Sequence, residues 1–318
     1  MCQLYPPKLG RAAEEEMPPP PIPPPLLAKQ PSIDAIFEDL DDVEDMDDAY
    51  NAPDEGAESA GPLLVQQARA AKLHGACADG AQEAVAKLLA TPPAFEQQVL
   101  DEGLMIGCHA GSAACVALLL RSGAMPSAAS TDEDGASALH MACQSDAAEC
   151  VRLLLESHAS PDVTNEGGAT PLFVAAFNGS LECIERLLTA RASPHIAYDG
   201  GMSPLHAACQ LGREECVAAL IEGGADLEAT DDEERATPLH TACEAGHEDA
   251  VATLIRAGAQ LNALTADGST PLFAAAFNEH TALLEPLLLA RAAVDTLTAG
   301  GTALTISASY GNVRSIQA

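Results

Sequence analysis

The chain has 318 residues and a strongly acidic composition, with 47 Asp and Glu against 15 Lys and Arg and a formal net charge of −32. Residues 1–62 hold 15 acids and 3 bases, a net of −12, and the remainder holds 32 and 12, a net of −20. Because both parts are acidic, nucleic acid and anionic membranes are excluded as partners on electrostatic grounds, and a protein with a basic surface is favoured.

Residues 1–62 are predicted to form a disordered tail that is Pro-rich and acidic. The proline run from Pro18 to Pro31 favours polyproline II and suits a reader of Pro-rich motifs. The apolar residues at 33, 36, 37, 40 and 43 then share one helical face among acids, so this segment is either a docking motif or a solvated tail. Because the chain shows no apolar run as long as a signal peptide or a membrane span, we expect a cytosolic or nuclear protein.

From residue 63 onward the chain repeats one pattern. Five regular units begin with a related motif: Ser137-Ala138-Leu139-His140, Thr170-Pro171-Leu172-Phe173, Ser203-Pro204-Leu205-His206, Thr237-Pro238-Leu239-His240 and Thr270-Pro271-Leu272-Phe273. The leucines of these motifs are 33, 33, 34 and 33 residues apart, and each motif opens an Ala-rich helix that a Leu/Ile/Val-rich helix follows. Two divergent units precede them, near Leu73–Leu89 and Leu104–Gly123, and an incomplete eighth unit begins at Thr302. We expect this last unit either to continue in a longer protein or to expose an apolar edge.

A period near 33 with a Thr-Pro-Leu-His start resembles the ankyrin repeat, in which two short antiparallel helices are joined to the next unit by a hairpin-like finger. The resemblance implies an all-α ankyrin-repeat solenoid of about seven to eight units over residues 63–318. It also implies that His140, His206 and His240 are structural and link neighbouring units by hydrogen bonds, rather than being catalytic or metal-binding residues.

The repeat pattern also predicts how each unit is capped. The Ser or Thr that opens a motif suits a helix N-cap, and the Pro after it suits the first helical position. Three second helices close with a residue other than Gly: His158, Arg191 and Arg291. Each of these residues is predicted to be left-handed at a cost of about 1 kcal/mol. Pro286 lies inside a predicted second helix, where it would cost about 3 kcal/mol.

Nine of the ten cysteines fall into two columns of the repeat, one in the first helices and one in the second helices. We predict reduced core thiols, because stacked helices lie roughly 8–10 Å apart and a disulfide needs Cα atoms within about 7 Å. Pairs within one unit, such as Cys143/Cys150 or Cys209/Cys216, could approach each other. A redox or zinc role therefore stays an alternative, although no Cys-x-x-Cys motif occurs.

In a solenoid of this type the fingers and first helices line the concave side, which is the usual binding surface. We predict partner contacts at Gln144, Phe177, Asn178, Gln210, Leu211, Glu244, Phe277 and Asn278 on first helices, and at Tyr198, Asp232 and Glu233 on fingers. Phe177 and Phe277 would be hot spots if exposed, and the alternative is that each ring packs onto a neighbouring helix. Finger acids, including those at 132–134, would steer a basic partner unless they are only solvated loop charges.

The repeats contain no Gly-rich phosphate loop, Ser/His/Asp arrangement, HExxH motif or zinc spacing, so we expect no enzyme activity, no cofactor and no metal. The favoured function is a monomeric, non-catalytic scaffold or adaptor that binds a basic partner on the concave side. One alternative rests on Ser203–Cys209 with Glu215–Val217, which resemble units of ankyrin proteins that end in a SOCS box. That resemblance implies a substrate receptor of a cullin-type ubiquitin ligase. The other alternative is a regulatory region of an enzyme that lies beyond residue 318.

Overall fold

The computed structural model of the chain describes residues 61–129, 135–298 and 301–309. Within these ranges the helices are α1 Gly61–Ala78, α2 Gln82–Ala90, α3 Gln97–His109, α4 Ala113–Arg121, α5 Ala138–Gln144, α6 Ala148–Glu156, α7 Pro171–Asn178, α8 Leu181–Thr189, α9 Pro204–Gln210, α10 Glu214–Glu222, α11 Pro238–Ala245, α12 Glu248–Ala257, α13 Pro271–Phe277, α14 Thr281–Leu289 and α15 Ala303–Ser309. The same ranges hold two isolated β-bridges and no β-strand.

The helices stack in two layers. The odd-numbered helices, here called inner helices, pack each on the next from α1 to α15, and the even-numbered outer helices do the same from α2 to α14. Each inner helix from α1 to α13 also packs on the outer helix of its own unit. This arrangement confirms the predicted all-α solenoid, including the first helix of the eighth unit. The predicted tail, the finger acids at 132–134 and the end of the eighth unit lie outside the described residues.

The core of the stack consists of small and branched apolar side chains from both layers. The leucines of the five motifs are all buried, the most accessible of them, Leu272, being 3 % exposed. The nine described cysteines are free and buried, which confirms their predicted place in the core.

The predicted caps are present at the inner helices. The Thr170 hydroxyl accepts a hydrogen bond from the Phe173 backbone N–H at 3.1 Å, which satisfies one of the free N–H groups of the first turn. Ser203 and Thr270 accept from the backbone N–H groups of His206 and Phe273 in the same way, at 3.4 and 3.1 Å. Thr237 is the N-cap of its helix through a capping box with His240, and each of these helices has Pro at its start.

The predicted departures from the ideal repeat are also confirmed. His158, Arg191 and Arg291 have φ values of 69°, 66° and 73°, so all three are left-handed. Pro286 lies inside α14 and is exposed, so the helix lacks one backbone N–H donor on its exposed side but continues to Leu289.

Candidate protein-binding face

The fingers, meaning the segments 157–170, 190–203, 223–237 and 258–270 between an outer helix and the next inner helix, are joined to one another. Backbone hydrogen bonds link consecutive fingers, from Asp199 N–H to Gly167 O (3.2 Å), from Asp232 N–H to Gly200 O (2.9 Å) and from Ala266 N–H to Glu234 O (2.7 Å). Gly201 permits one of these approaches, because its φ is 79° and a Cβ atom there would lie 2.6 Å from the backbone nitrogen of Asp232. The fingers therefore present their side chains from a fixed backbone.

The motif histidines link each inner helix to the next finger. His140 Nδ1 accepts from the backbone N–H of Ser137 at 3.0 Å, so the proton is on Nε2, which donates to Ala169 O at 2.9 Å. The corresponding bonds of the other two rings run from His206 to Ala236 O (3.1 Å) and from His240 to Ser269 O (3.2 Å). Because both nitrogens of each ring are engaged, the structural role of these histidines is confirmed. Burial lowers the pKa of His140 to about 4, so this ring is neutral at pH 7.

A second set of contacts between units holds the C-terminal ends of the inner helices. The Ser180 hydroxyl donates to Cys143 O at 3.0 Å, His247 Nε2 donates to Gln210 O at 3.0 Å, and His280 Nε2 donates to Glu244 O at 2.8 Å. These donors satisfy carbonyls that the end of a helix leaves free. These contacts were not predicted from the sequence, yet each donor occupies the same repeat position, directly after the turn that closes the inner helix.

All predicted contact residues belong to the inner face, meaning the C-terminal ends of the inner helices together with the fingers. Four of them are exposed: Asp232, Glu233, Glu244 and Asn278. Six are half-buried: Gln144, Asn178, Tyr198, Gln210, Leu211 and Phe277. The Asn178 and Asn278 amides donate to carbonyls of their own helices, at 2.9 and 3.0 Å, and so are partly used within the fold.

The prediction that Phe177 is an exposed aromatic contact is wrong. Its ring is only 9 % exposed, because α7 is packed between α5 and α9 and the side chain is enclosed within the stack. Phe277 is more accessible, but its ring stacks on Phe273 with centroids 6.0 Å apart. Phe177 therefore belongs to the core, and Phe277 presents only part of its surface.

Tyr198 has a packing role that the sequence analysis missed. Its ring stacks on Phe173 with centroids 5.0 Å apart and an interplanar angle of 19°. Phe173 occupies the motif position that is His in three other units, so at this joint an aromatic stack replaces the hydrogen bond to the next finger. Tyr198 can contact a partner only with the part of its surface that this stack leaves open.

Acids of the finger 223–237 affect Glu244 at the end of α11. The Glu244 side chain is exposed at the surface, but partial desolvation raises its pKa, and Glu234 and Asp231 raise it further. Partial desolvation likewise raises the pKa of the exposed Glu234, and Asp231, Asp267 and Glu233 add to the effect. Asp231 and Glu234 were recognised from the sequence as finger acids together with Asp232 and Glu233, but their effect on Glu244 was not predicted. The feature of the sequence that could have indicated this effect is the high density of Asp and Glu between residues 226 and 234.

The ion pairs of the described residues lie elsewhere. Arg152 pairs with Glu149 and Glu156 on α6, and Arg186 pairs with Glu182 on α8 and reaches Glu149. Within the described ranges, no cationic side chain lies within 4.0 Å of the carboxylates of the finger 223–237 or of Glu244. Arg235 adds one exposed positive charge to the same finger, so this part of the inner face has a net negative charge without an ion pair.

Among residues 61–129, 135–298 and 301–309, no three His, Cys, Asp or Glu side chains are placed to hold a metal ion. No described helix combines the length and the apolar character needed to cross a bilayer.

Comparison with known proteins agrees with this architecture. The family model for ankyrin repeats, which describes three copies, matches residues 73–165, 157–231 and 228–296. The crystal structure of the human ASB11 ankyrin repeat domain is similar, with a TM-score of 0.60, 30 % sequence identity, and coverage of 69 % of this chain and 97 % of that chain. No curated protein sequence matches significantly. Ankyrin repeats bind protein partners, and the chain belongs to the ankyrin repeat family.

Proposed function

We propose that the chain is a non-catalytic scaffold or adaptor whose inner face binds a protein partner with a basic surface. The observation that carries this proposal is the set of exposed carboxylates Asp232, Glu233, Glu234 and Glu244 on the inner face, none of which has a cationic side chain of the described residues within 4.0 Å. Net negative charge favours a partner that brings positive charge, and it increases the rate of encounter with such a partner.

The chemistry of the repeated residues supports a non-catalytic function. The three motif histidines use both ring nitrogens to join units and have none left for proton transfer. Burial raises the pKa of the Cys77 thiol to about 12, and it also raises the pKa of Cys209 and Cys243, so these thiols are poor nucleophiles.

An affinity pull-down with mass spectrometry tests the proposal on the full chain. The test variant neutralises three exposed acids of the inner face: Asp232→Asn, Glu233→Gln and Glu244→Gln. The control variant neutralises three exposed acids on outer helices: Glu185→Gln, Glu222→Gln and Glu285→Gln. Both variants lose three negative charges, so a general effect of net charge acts on them equally.

The proposal predicts that one or more basic proteins captured by the wild type are retained by the control variant and lost from the test variant. Circular dichroism of both variants establishes matched folding. Equal capture by the two variants would contradict the proposal, because binding would then not depend on the inner face.

A second candidate function is a substrate receptor of a cullin-type ubiquitin ligase. It is favoured by the resemblance of Ser203–Cys209 and Glu215–Val217 to units of ankyrin proteins that end in a SOCS box, and by the similarity to the human ASB11 ankyrin repeat domain. Co-precipitation of a cullin with the full-length protein from cells would support this function. If no cullin co-precipitates while another partner still binds the repeats, the result would contradict the ligase function and favour the scaffold function.

We also propose that the protein acts in the cytosol or nucleus. The nine described cysteines are free and buried in the core, which suits a compartment where thiols stay reduced. Fractionation of cells that express the tagged full chain tests this location, and recovery from secretory compartments would contradict it.

A further inference from the structure

Two exposed leucines lie on consecutive fingers near the C-terminal end of the described solenoid. Leu264 belongs to the finger 258–270 and is 51 % exposed, and Leu297 belongs to the next finger along the chain and is 79 % exposed. A hydrogen bond from Ala293 N–H to Asn262 Oδ1, at 2.7 Å, joins these two fingers. Leu264 and Leu297, here called the leucine pair, are therefore presented from a fixed backbone.

The position that the leucine pair occupies is exposed in five consecutive fingers. It directly precedes the residue whose backbone N–H bonds back to the end of its own finger, as from Thr265 N–H to Ser269 O (3.0 Å) and from Asp231 N–H to Ala236 O (3.1 Å). In the three preceding fingers this position holds smaller residues, all of them exposed: Thr164, Ala197 and Thr230. The exposure of Leu264 consequently belongs to the position itself and not to its place near the end of the stack.

The leucine pair adjoins the acidic finger 223–237. Gln260 N–H donates to the Glu228 carboxylate at 2.7 Å, so this finger and the finger 258–270 form one surface. The finger 223–237 holds six acids and one base, Arg235, which gives it a net charge of −5. Apolar side chains next to net negative charge suit an occupant that combines apolar and basic side chains.

The charge of this surface selects among three kinds of occupant. A second copy of the chain has a net charge of −32, and residues 1–62 have a net charge of −12, so the acidic finger repels both. A basic segment of a partner protein is instead attracted to the same finger. Charge complementarity therefore favours the partner segment.

We infer that the leucine pair is the docking site for an extended, basic segment of a partner protein that carries two apolar side chains three residues apart. In polyproline II, which has three residues per turn and a rise of about 3.1 Å, such side chains point the same way about 9 Å apart. Stacked helices, and the fingers that they carry, lie roughly 8–10 Å apart, so the two spacings match. The inference rests on the proposed function and adds the apolar contact that distinguishes one basic partner from another.

The test measures binding of two fluorescein-labelled peptides to the full chain by fluorescence anisotropy at physiological ionic strength. The leucine peptide, KRLKRLKR, carries two leucines three residues apart, and the serine peptide, KRSKRSKR, has the same charge without them. The test variant is Leu264→Ser/Leu297→Ser. The control variant, Leu64→Ser/Leu289→Ser, removes two leucines that are 62 % and 78 % exposed on α1 and α14. Circular dichroism verifies that both variants fold.

We expect the wild type and the control variant to bind the leucine peptide about tenfold more tightly than the serine peptide, because the leucine side chains bury apolar surface. In the test variant this preference should fall to about twofold or less, since the apolar surface of the chain is then absent. A preference that the test variant keeps in full, or that the wild type lacks, would overturn the inference.

Two further measurements separate this inference from the proposed function. The variant Asp232→Asn/Glu233→Gln/Glu244→Gln should weaken both peptides by the same factor, and unchanged binding of both would contradict the proposed function. Equal binding of the two peptides by the wild type, weakened by these three substitutions, would overturn the leucine pair alone. Analytical ultracentrifugation of the wild type should show a monomer. A dimer that only Leu264→Ser/Leu297→Ser dissociates would overturn the inference, because a second copy would then cover the leucine pair.

Discussion

Replacement of His140 by Leu tests the buried histidine links most sharply. The ring joins Ser137 N–H to Ala169 O, and both Ser137 and Ala169 are about 98–99 % buried, with exposures of 1 % and 2 %. Leu fills a similar volume but leaves the Ser137 N–H without its acceptor, whereas Ala169 O keeps the hydrogen bond from the Asn165 N–H at 3.0 Å. One unsatisfied buried group costs about 1–3 kcal/mol, so we expect a loss of about 1 to 3 kcal/mol in the free energy of unfolding at pH 7.

The same ring gives stability a defined dependence on pH. Burial lowers the pKa of His140 from 6.5 to about 4, so the unfolded chain takes up the proton more readily than the folded one. The stabilisation is fully present above pH 6.5 and is lost as pH falls towards 4, by about 3 kcal/mol at 1.36 kcal/mol per pKa unit. The stability gap between the wild type and His140→Leu should therefore narrow as the pH falls.

Urea unfolding of both proteins at several pH values between 7 and 4 measures this gap. Because the carboxylates are common to both proteins, their titration cancels in the difference. His195→Leu, at an exposed position on a finger, is the matched control and should show a gap near zero at every pH. A His140→Leu gap that stays constant from pH 7 to 4 would refute the assignment of a neutral, doubly bonded ring.

Three further substitutions test local features of the solenoid. Pro286→Ala should stabilise the protein by up to about 3 kcal/mol, because it restores an N–H inside the exposed side of α14, and an unchanged urea midpoint would contradict this. Arg191→Gly should raise the free energy of unfolding by up to about 1 kcal/mol, because Gly adopts the left-handed conformation at φ 66° without strain. A lower free energy of unfolding, measured with urea, would show that contacts of the Arg side chain stabilise the protein by more than this strain. Gly201→Ala should lower the free energy of unfolding by more than about 1 kcal/mol, because φ is 79° and the new Cβ would lie 2.6 Å from Asp232 N. The direct measurement is hydrogen exchange of the Asp232 amide, which should become faster. Unchanged exchange would contradict the hydrogen bond between the two fingers.

The sequence predicted those parts of the fold that repeat. The 33-residue spacing was sufficient to predict the stacked helical units. The caps and the irregular positions could also be predicted, because they depend on local backbone chemistry: the Thr-Pro motifs, His158, Arg191, Arg291 and Pro286. The exposure of single side chains was less accessible to prediction. Phe177 and Phe277 occupy equivalent positions in nearly identical helices, yet one is buried and the other half-buried, since their neighbours differ.

The site was predictable only in outline for the same reason. Acids on the fingers could be counted, but which of them affect the pKa of Glu244 depends on the three-dimensional arrangement of finger and inner helix. The stack of Tyr198 on Phe173 likewise joins two units and leaves no trace in the spacing of either. Contacts between units are non-local, and one repeat considered alone does not contain them.

The most direct test of the central claim is hydrogen–deuterium exchange of the full chain in complex with the basic partner recovered by the pull-down. Binding at the inner face predicts slower exchange in the finger 223–237 and at the C-terminal ends of α9, α11 and α13, with the outer helices α8, α10 and α12 unchanged. Slower exchange confined to the outer helices would contradict the claim and place the partner on the opposite layer of the solenoid.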